Sequence, residues 1–402
     1  MNASTITLAR AGGGGSSSGG DGGGGSSTSS SGGSVGDLSP IIFVIIFASF
    51  AVFIGLGIAY DAYRARRKRS AAEATVKRAE TSDARWEPDA LRKRVEDVFM
   101  RFQAAWSAMD LAALVPLLTD SYRKRMTLEL TVLAAEHRRN VVEHPTIESV
   151  EIVRADDATG TQGDQFTAEI EATAHDVLLD TRTNTSLFTD DSAFTEYWTF
   201  VREGDDWKLD RIGQETEEAT LREPAIAAFA TRNGFFYDPD FGWLMLPNEG
   251  VLFRQSNFKT SDVNNHVIGE ERGFVVEFYT FIPNRKRSRG NYVVAQVILP
   301  KAYDDILVRR RRFLRFAPRD LREVTTESTE FNRRFTVYAH EMDRVNSLEL
   351  LTPDFILTLA DLPYEVNIEV VGQVLYFYTQ DRRASYDQLL DIIRRAFDAM
   401  KR

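Results

Sequence analysis

From Pro40 to Tyr60 the chain reads PIIFVIIFASFAVFIGLGIAY, 21 residues without a charge. As a helix this run is about 31 Å long, the thickness of a bilayer's hydrocarbon core. It predicts one membrane-spanning helix, because helices buried in soluble cores rarely run this far without a polar face. Residues 12–34, on its N-terminal side, are Gly or Ser apart from Asp21 and Thr28. Such a tract has little to bury and a high ordering entropy, so 1–39 is expected to be a flexible tail. No basic stretch precedes the apolar run, which argues against a cleaved signal peptide. On the C-terminal side come Arg64, Arg66, Arg67, Lys68 and Arg69. Lys and Arg mark the cytoplasmic side of a span. The expected topology is therefore tail outside, folded mass inside, with these five cations able to meet anionic headgroups.

Beyond the span, 61–86 reads as a basic juxtamembrane segment and linker, its charged and Ala-rich part 65–86 being a helical extension or linker. Asp89 is then placed to cap a helix with Leu91, Val95, Val98, Phe99, Phe102, Trp106 and Met109 on one face. Asp110 opens a short helix through Leu114 and Leu117. Thr119 or Asp120 opens another, with Tyr122, Met126, Leu130 and Leu133 as its apolar stripe. After His144 and Pro145 the period changes from 3.6 to 2. Ile147 to Val153 is an expected strand. Phe166 to Ala174 alternates apolar and polar residues, as do Phe194, Glu196, Trp198 and Phe200. Trp207, Leu209 and Arg211 begin a last strand after the turn at Glu203-Gly204-Asp205. Helices first and an antiparallel sheet afterwards give an α+β fold, helices packed on one sheet face.

The run VFMRFQAAWSAMDLAALVPLLTDSY, followed by FTEYWTFVREGDDWKLDRIGQ, resembles the Tim44-like domain over about residues 87–215. The likeness rests on Phe99, Gln103, Trp106, Asp110, Leu114 and Leu118 in the helical half. In the sheet half it rests on Glu196, Trp198, Phe200, Arg202, Trp207, Leu209, Ile212 and Gln214. The resemblance implies a binding and tethering domain, cone-shaped, with an apolar groove between helices and curved sheet, close to a bilayer. Phe102, Trp106, Glu196 and Trp198 are the candidate groove residues; packing in the core is the competing role for the large aromatics. The family's N-terminal chaperone-binding region has no counterpart here. The same cone occurs in nuclear-transport-factor-like domains, some of them enzymes. In that setting Asp176, Asp180 or Glu196 would serve as general acid or base, although no second group completes a mechanism.

A second α+β unit is expected over 218–402. Phe274–Phe281 and Tyr292–Leu299 form a predicted hairpin, and Phe331–Tyr338 a strand. Ser347–Leu362 reads as a helix interrupted near Pro353. Val366–Val370 and Val374–Tyr378 are expected to pair across Val371-Gly372-Gln373. Ser385–Met400 is an amphipathic helix with Tyr386, Leu389, Leu390, Ile393 and Phe397 facing in. Phe331, Asn332, Phe335, Val337, Leu351, Thr352, Pro353 and Phe355, with Ile268-Gly269 and Gly372, resemble a bacterial membrane-associated domain of unknown function, which implies a boundary but no activity.

Composition narrows the chemistry. There is no cysteine, which removes disulfides, thiolate catalysis and Cys-based metal sites. The five histidines are scattered without helical spacing. No phosphate loop, nucleophile elbow, His-Glu-x-x-His or calcium loop occurs. Asp156-Asp157, Asp190-Asp191 and Asp304-Asp305 read as solvated turn pairs. The net charge of −10 argues against a nucleic-acid partner. The local basic runs, Arg285 to Arg289 and Arg309 to Arg315, read first as solvated surface and second as headgroup contacts. No cofactor or metal is expected. The expected function is that of a non-enzymatic, membrane-tethered scaffold, integral by a single span. It would bind an apolar peptide, lipid or partner protein, as in protein transport. The alternative is an enzyme or small-molecule sensor that uses the cone pocket. Oligomeric state is left open.

Overall fold

The computed structural model describes residues 66–158, 163–214, 223–239, 250–251, 263–281, 291–311, 321–326, 328–339, 352, 362, 364–381 and 384–400. The predicted span 40–60, Arg64, the basic run 285–289, Arg312, Arg315 and nearly all of the predicted helix 347–362 lie outside them. Among the described residues no helix is long and apolar enough to cross a membrane.

The first unit is α+β, as its periodicity predicts. Helix α1 covers residues 66–80. It is followed by α2 (Pro88–Ser107), α3 (Leu111–Leu114) and α4 (Asp120–Ala135), then β1 (Arg138–Asp156), β2 (Gln165–Asp180), β3 (Thr185–Asp190), β4 (Phe194–Glu203) and β5 (Asp206–Gln214). The strands form an antiparallel sheet in the order β1-β2-β4-β5, with β3 beside β2. Capping follows local chemistry. Glu87, not the expected Asp89, caps α2: its carboxylate reaches the backbone N–H of Asp89 and Ala90. Pro88 then takes the first helical position, where a missing N–H is harmless. Asp110 caps α3 and Thr119 caps α4, as expected.

Two strand expectations change. β1 begins at Arg138, well before Ile147, and absorbs His144 and Pro145 at a register shift between Glu143 and Thr146. Proline is tolerated in a strand at such a bulge. β3 is an additional strand, so Asp190 is buried and accepts from the Ser192 backbone and hydroxyl, whereas Asp191 stays at the surface.

Of the two readings of 65–86, helical extension or linker, the structure shows the helix, and it is packed. Ala72, Val76 and Ala79 on α1 are buried, a stripe at helical spacing that presents small residues to a neighbour. Glu151 and Glu169 are cross-strand partners on the sheet face away from the buried Ala168 and Ile170. Like charges directly opposite destabilise a sheet. Arg69 relieves the pair by binding both, at 2.7 and 2.5 Å. At the other end of α1, Asp83 binds Arg202, which also binds Asp164 at 3.2 Å. The start of the helix is thus pinned to the outer face of the sheet, and the turn that follows it is tied to Arg202, on the strand face that Phe200 and Trp198 share.

The second unit opens with α5 (Pro224–Asn233), ended by left-handed Gly234, and continues with β6 (Phe236–Asp238), β7 (Val263–Glu271), β8 (Phe274–Phe281), β9 (Tyr292–Arg310), β10 (Arg322–Val324), α6 (Thr329–Arg334), β11 (Phe335–Ala339), β12 (Asn367–Thr379) and α7 (Tyr386–Met400). Its sheet runs β10-β11-β9-β8-β7-β6 with β12 also on β9. The β8–β9 hairpin is as expected, but β9 continues to Arg310, so Asp304-Asp305 lies within a strand rather than a turn. Residues 331–334 are helical: Ser328 caps α6, and Glu330 pairs with Arg333 and Arg334 one turn on. The predicted hairpin at Gly372 is one bulged strand. Both halves of β12 pair with β9, and the Gly372 N–H donates to Asp305 across the bulge. α5 and α7 cover one face of this sheet, through Phe229, Leu389, Ile393 and Phe397. The other face joins the core of the first unit through Tyr279, Tyr338, Tyr376 and Tyr378. The amphipathic C-terminal helix is as predicted.

Replacing Val76 by Asp places an unpaired charge in the α1–sheet contact. It should destabilise the protein by about 3 kcal/mol and expose the 66–83 region to protease. An unchanged melting temperature with intact protection would mean that α1 is a loose linker after all.

Candidate functional site

The groove quartet lies in the core of the first unit. Phe102, Trp106, Glu196 and Trp198 are each at most 1% exposed. The ring of Trp198 lies 5.2 Å from Phe99 and 5.3 Å from Phe102. The aromatics fill the space between α2 and β4 rather than lining an open groove there. Glu196 accepts from the Trp198 indole at 2.9 Å, and Trp106 donates to Asn140 at 2.7 Å, which in turn donates to Asp176 at 2.5 Å. Asp176 sits inside β2, not at its end. Asp180 is a turn acceptor for Arg182 and Thr183. The three carboxylates weighed as acid or base thus hold structural hydrogen bonds. His175 binds Asp191 at 2.5 Å on the surface, which raises the imidazole above its ordinary value. Two buried polar groups in this core, the Gln103 amide and the Tyr122 hydroxyl, have no hydrogen-bond partner among the described residues. Each such group costs about 1–3 kcal/mol.

The basic run is divided. Arg66, Arg67 and Lys68 are exposed at the start of the described helix. Arg69 is paired with Glu151 and Glu169, so its charge is met within the domain.

The densest set of buried charges lies elsewhere, where α4 meets the second sheet. Arg125 binds Glu129 at 2.7 Å and Asp238 at 3.1 Å, all three nearly inaccessible. Asp238 pairs in register with His266, whose ring nitrogen lies 2.8 Å from Glu277. Gln296 donates to Glu277 and, at 3.4 Å, to Glu136, which binds Arg138 at 3.0 Å. Burial opposes the charge on Arg125, but the attraction of Glu129 and Asp238 outweighs it and raises its affinity for the proton. Burial pushes Glu277 up to about 8 and His266 down to about 3. The pair is therefore a neutral acid beside a neutral imidazole at pH 7. The set contains no Ser, Cys, Thr or Lys, and among the described residues no group of three or more His, Asp or Glu could hold a metal. Its chemistry is that of a seam, with charges from one unit answered by groups of the other.

Sequence reasoning missed this seam because Glu277 and Gln296 sit in runs that read as plain apolar strands. The usable signal was the alternation in FVVEFYTF. Val276 and Phe278 face α5 and α7, which puts Glu277 and Tyr279 on the opposite face. A charge flanked by aromatics there implies that this face too is covered, and that the charge has a partner.

Residues 72–214 match the family profile of the Tim44-like domain, so this part of the chain is a Tim44-like domain that takes in most of α1. The start expected near residue 87 moves forward accordingly. The crystal structure of the mycobacterial trehalose monomycolate transport factor A, TtfA, is similar at 16% identity and a TM-score of 0.32, covering 44% of this chain and 92% of that one. The intermembrane space region of the chloroplast protein ARC6 is similar at 16% identity and a TM-score of 0.24, covering 30% of this chain and 93% of that one. A comparison with curated proteins finds no match.

Two outcomes test the seam. Because the folded Glu277 titrates near 8 against an ordinary 4.5, its contribution is full below about pH 4.5 and is lost as pH rises through 8. His266 acts oppositely: its contribution is full above its ordinary 6.5 and is lost as pH falls toward 3. Glu277→Gln should therefore gain stability over the native protein between pH 5 and 8.5, by up to a few kcal/mol. Urea titrations at the two pH values read this directly, and identical pH dependence in both proteins would refute it. Arg125→Met strands two buried carboxylates and should cost about 3–5 kcal/mol. A loss below about 1 kcal/mol, the range of surface pairs, would show that Arg125 does not hold the units together.

Proposed function

We propose that this protein is a non-enzymatic, membrane-tethered binding protein that holds a Tim44-like domain at the cytoplasmic face of a bilayer. The observation that carries the reading is the continuity between anchor and domain. The apolar run ends at Tyr60, and by residue 66 the chain is already in α1, whose stripe packs on the sheet of the Tim44-like domain. Only residues 61–65 separate them, a reach of at most about 18 Å. A domain held this closely meets membrane-bound partners at high effective concentration, so weak contacts suffice. Arg66, Arg67 and Lys68 add attraction to anionic headgroups of about 1 kcal/mol each.

The resemblance to Tim44-like domains supports an apolar ligand, whether a partner peptide or a lipid, and a role in transport near the membrane. The aromatic interior of this domain, with the Gln103 amide and Tyr122 hydroxyl unanswered among the described residues, has the make-up of a binding interior: apolar walls and a few polar anchors. Reaching it requires α2 and the sheet to part. The carboxylates that an enzyme of this shape would use are occupied in structural hydrogen bonds, which favours binding over catalysis.

Topology is directly testable because the chain has no native thiol. A Ser26→Cys variant in intact cells should react with a membrane-impermeant maleimide. A Ser70→Cys variant should react only after lysis. The reverse pattern would overturn the orientation, and labelling of both in intact cells would overturn the span.

A further inference from the structure

We propose that the seam between the two units is a proton-operated latch: the second unit docks on the Tim44-like domain with Glu277 protonated, and loss of that proton releases it. The inference concerns how the units are joined, so it stands apart from the membrane reading above.

The geometry around Glu277 suits a carboxylic acid better than a carboxylate. The residue lies on β8 and is 1% exposed. One of its oxygens accepts from the Gln296 amide, and the other lies 2.8 Å from Nε2 of His266. A protonated carboxyl has one carbonyl acceptor and one O–H donor. With the ring proton of the neutral His266 on Nδ1, Nε2 accepts from that O–H, and both ends of the acid are satisfied. A carboxylate is acceptor-only and has no hydrogen to give.

The seam supplies a second constraint. The Gln296 nitrogen that donates to Glu277 also donates to Glu136, at 3.4 Å. Glu136 closes α4 in the first unit, and Glu277 belongs to the second. Docking therefore brings one carboxyl group from each unit to the same nitrogen, out of water. Two carboxylates sharing a site do not both keep their charge. Glu136 has Arg138 beside it at 3.0 Å, so Glu277 is the one that keeps its proton.

Among the described residues, the titratable groups around Glu277 are His266 from β7, Tyr279 from its own strand, Tyr376 from β12, Glu136 from the end of α4 and Arg138 from β1. Arg125, Glu129 and Asp238 stand beyond His266. Arg138 favours the ionised form, but burial outweighs it and holds Glu277 up to about 8. Undocked and in water, the carboxyl returns to its ordinary 4.5. Docking thus takes up a proton. It is at full strength below about pH 4.5 and weakens about tenfold per pH unit until the loss levels off above 8. His266 adds nothing above its ordinary 6.5, because burial holds it near 3 and it is neutral in both states there. Tyr279 and Tyr376 are pushed above their ordinary 10, so both stay neutral below about pH 9.

The test uses the full chain in lipid nanodiscs, which has no native thiol. Val294 shares a face of β9 with Gln296 and lies opposite Tyr279, whereas Ala295 faces the core under α5 and α7. Val294→Cys and Ala295→Cys are labelled with a maleimide in separate proteins. Each rate, divided by that of a short peptide carrying the same cysteine, gives an opening constant. The seam position should open about tenfold more often per pH unit between pH 6.5 and 8 and level off by about pH 9. At every pH it should open at least about tenfold more often than position 295, which only global unfolding exposes. In a Glu277→Gln background the rise should disappear, and thermal melts establish that each variant folds. A flat profile with Glu277 in place overturns the proposal. Equal opening at the two positions also overturns it, because proton loss would then unfold the chain rather than undock a unit. So does a rise that survives Glu277→Gln, since the proton would then belong to another group, Glu129 first. Membrane orientation enters none of these readouts, so the latch can fail while the tether stands.

Discussion

The arrangement of the two units depends on one buried cation. Arg125 lies on the helix that both units share as a wall, and it is answered by Glu129 on its own helix and by Asp238 from the second unit. Removing three such charges from water is costly unless each is satisfied, so the contact is strict about geometry. A purely apolar interface between α4 and the second sheet could slide. One containing a guanidinium held by two carboxylates cannot slide without stranding a charge. The neighbouring His266–Glu277–Gln296 chain adds the same constraint with neutral groups. Specificity of docking, more than net stability, is what such a seam supplies.

That docking gives the chain a continuous mechanical path. α1 is pinned to the outer face of the first sheet, helices α2 and α4 pack on its inner face, and α4 is locked to the second sheet, whose far side carries α5 and α7. A force or displacement at the start of α1 is therefore transmitted through packed layers rather than absorbed in a hinge. The small residues Ala72 and Ala79 are suited to this role, because they let the helix lie close to the sheet while Arg69 and Asp83 fix its start and the turn that follows it. Clamping Arg69 also changes the electrostatics of the basic run: Arg66, Arg67 and Lys68 precede it exposed, and the cation nearest the sheet is neutralised by Glu151 and Glu169.

Much of this was legible in the sequence wherever one face of an element is wet. Alternation in Phe166–Ala174 and Phe194–Phe200 gave strands with correct inward residues, and 3.6-residue spacing gave α2, α4 and α7. Legibility failed in three physical situations. Strands covered on both faces, such as β8 and β9, lose the polar half of the pattern, so their buried Glu277 and Gln296 looked incidental. Irregular backbone misled at Gly372, where the left-handed residue (φ 57°) serves a bulge, not a hairpin turn, because both flanks pair with the same long β9. Polar segments with tertiary partners were misjudged as well. Arg138–Glu143, given no element by the pattern, forms the start of β1. α1 reads as a helical extension or linker with no packing partner, because its buried stripe is made of alanines and a single valine.

The same reasoning separates two apolar regions among the described residues. In the cone, aromatic rings contact one another, and burial is already complete. Any ligand must displace native contacts, and its affinity is reduced by the free energy of opening. In the groove between the N-terminal ends of α5 and α7, floored by Ile226, Phe229, Val293 and Tyr386, the apolar surface exists without rearrangement, and the hydrogen bond from the Tyr386 hydroxyl to the Asn265 carbonyl prevents collapse. A ligand there keeps its full contact energy, less only its own ordering. If the chain recruits a partner quickly and weakly at the membrane, the preformed groove is the physically favoured place. If it sequesters an apolar chain slowly and tightly, the cone is. The two differ in on-rate as well as chemistry, since opening a packed aromatic core precedes binding in one case and not in the other.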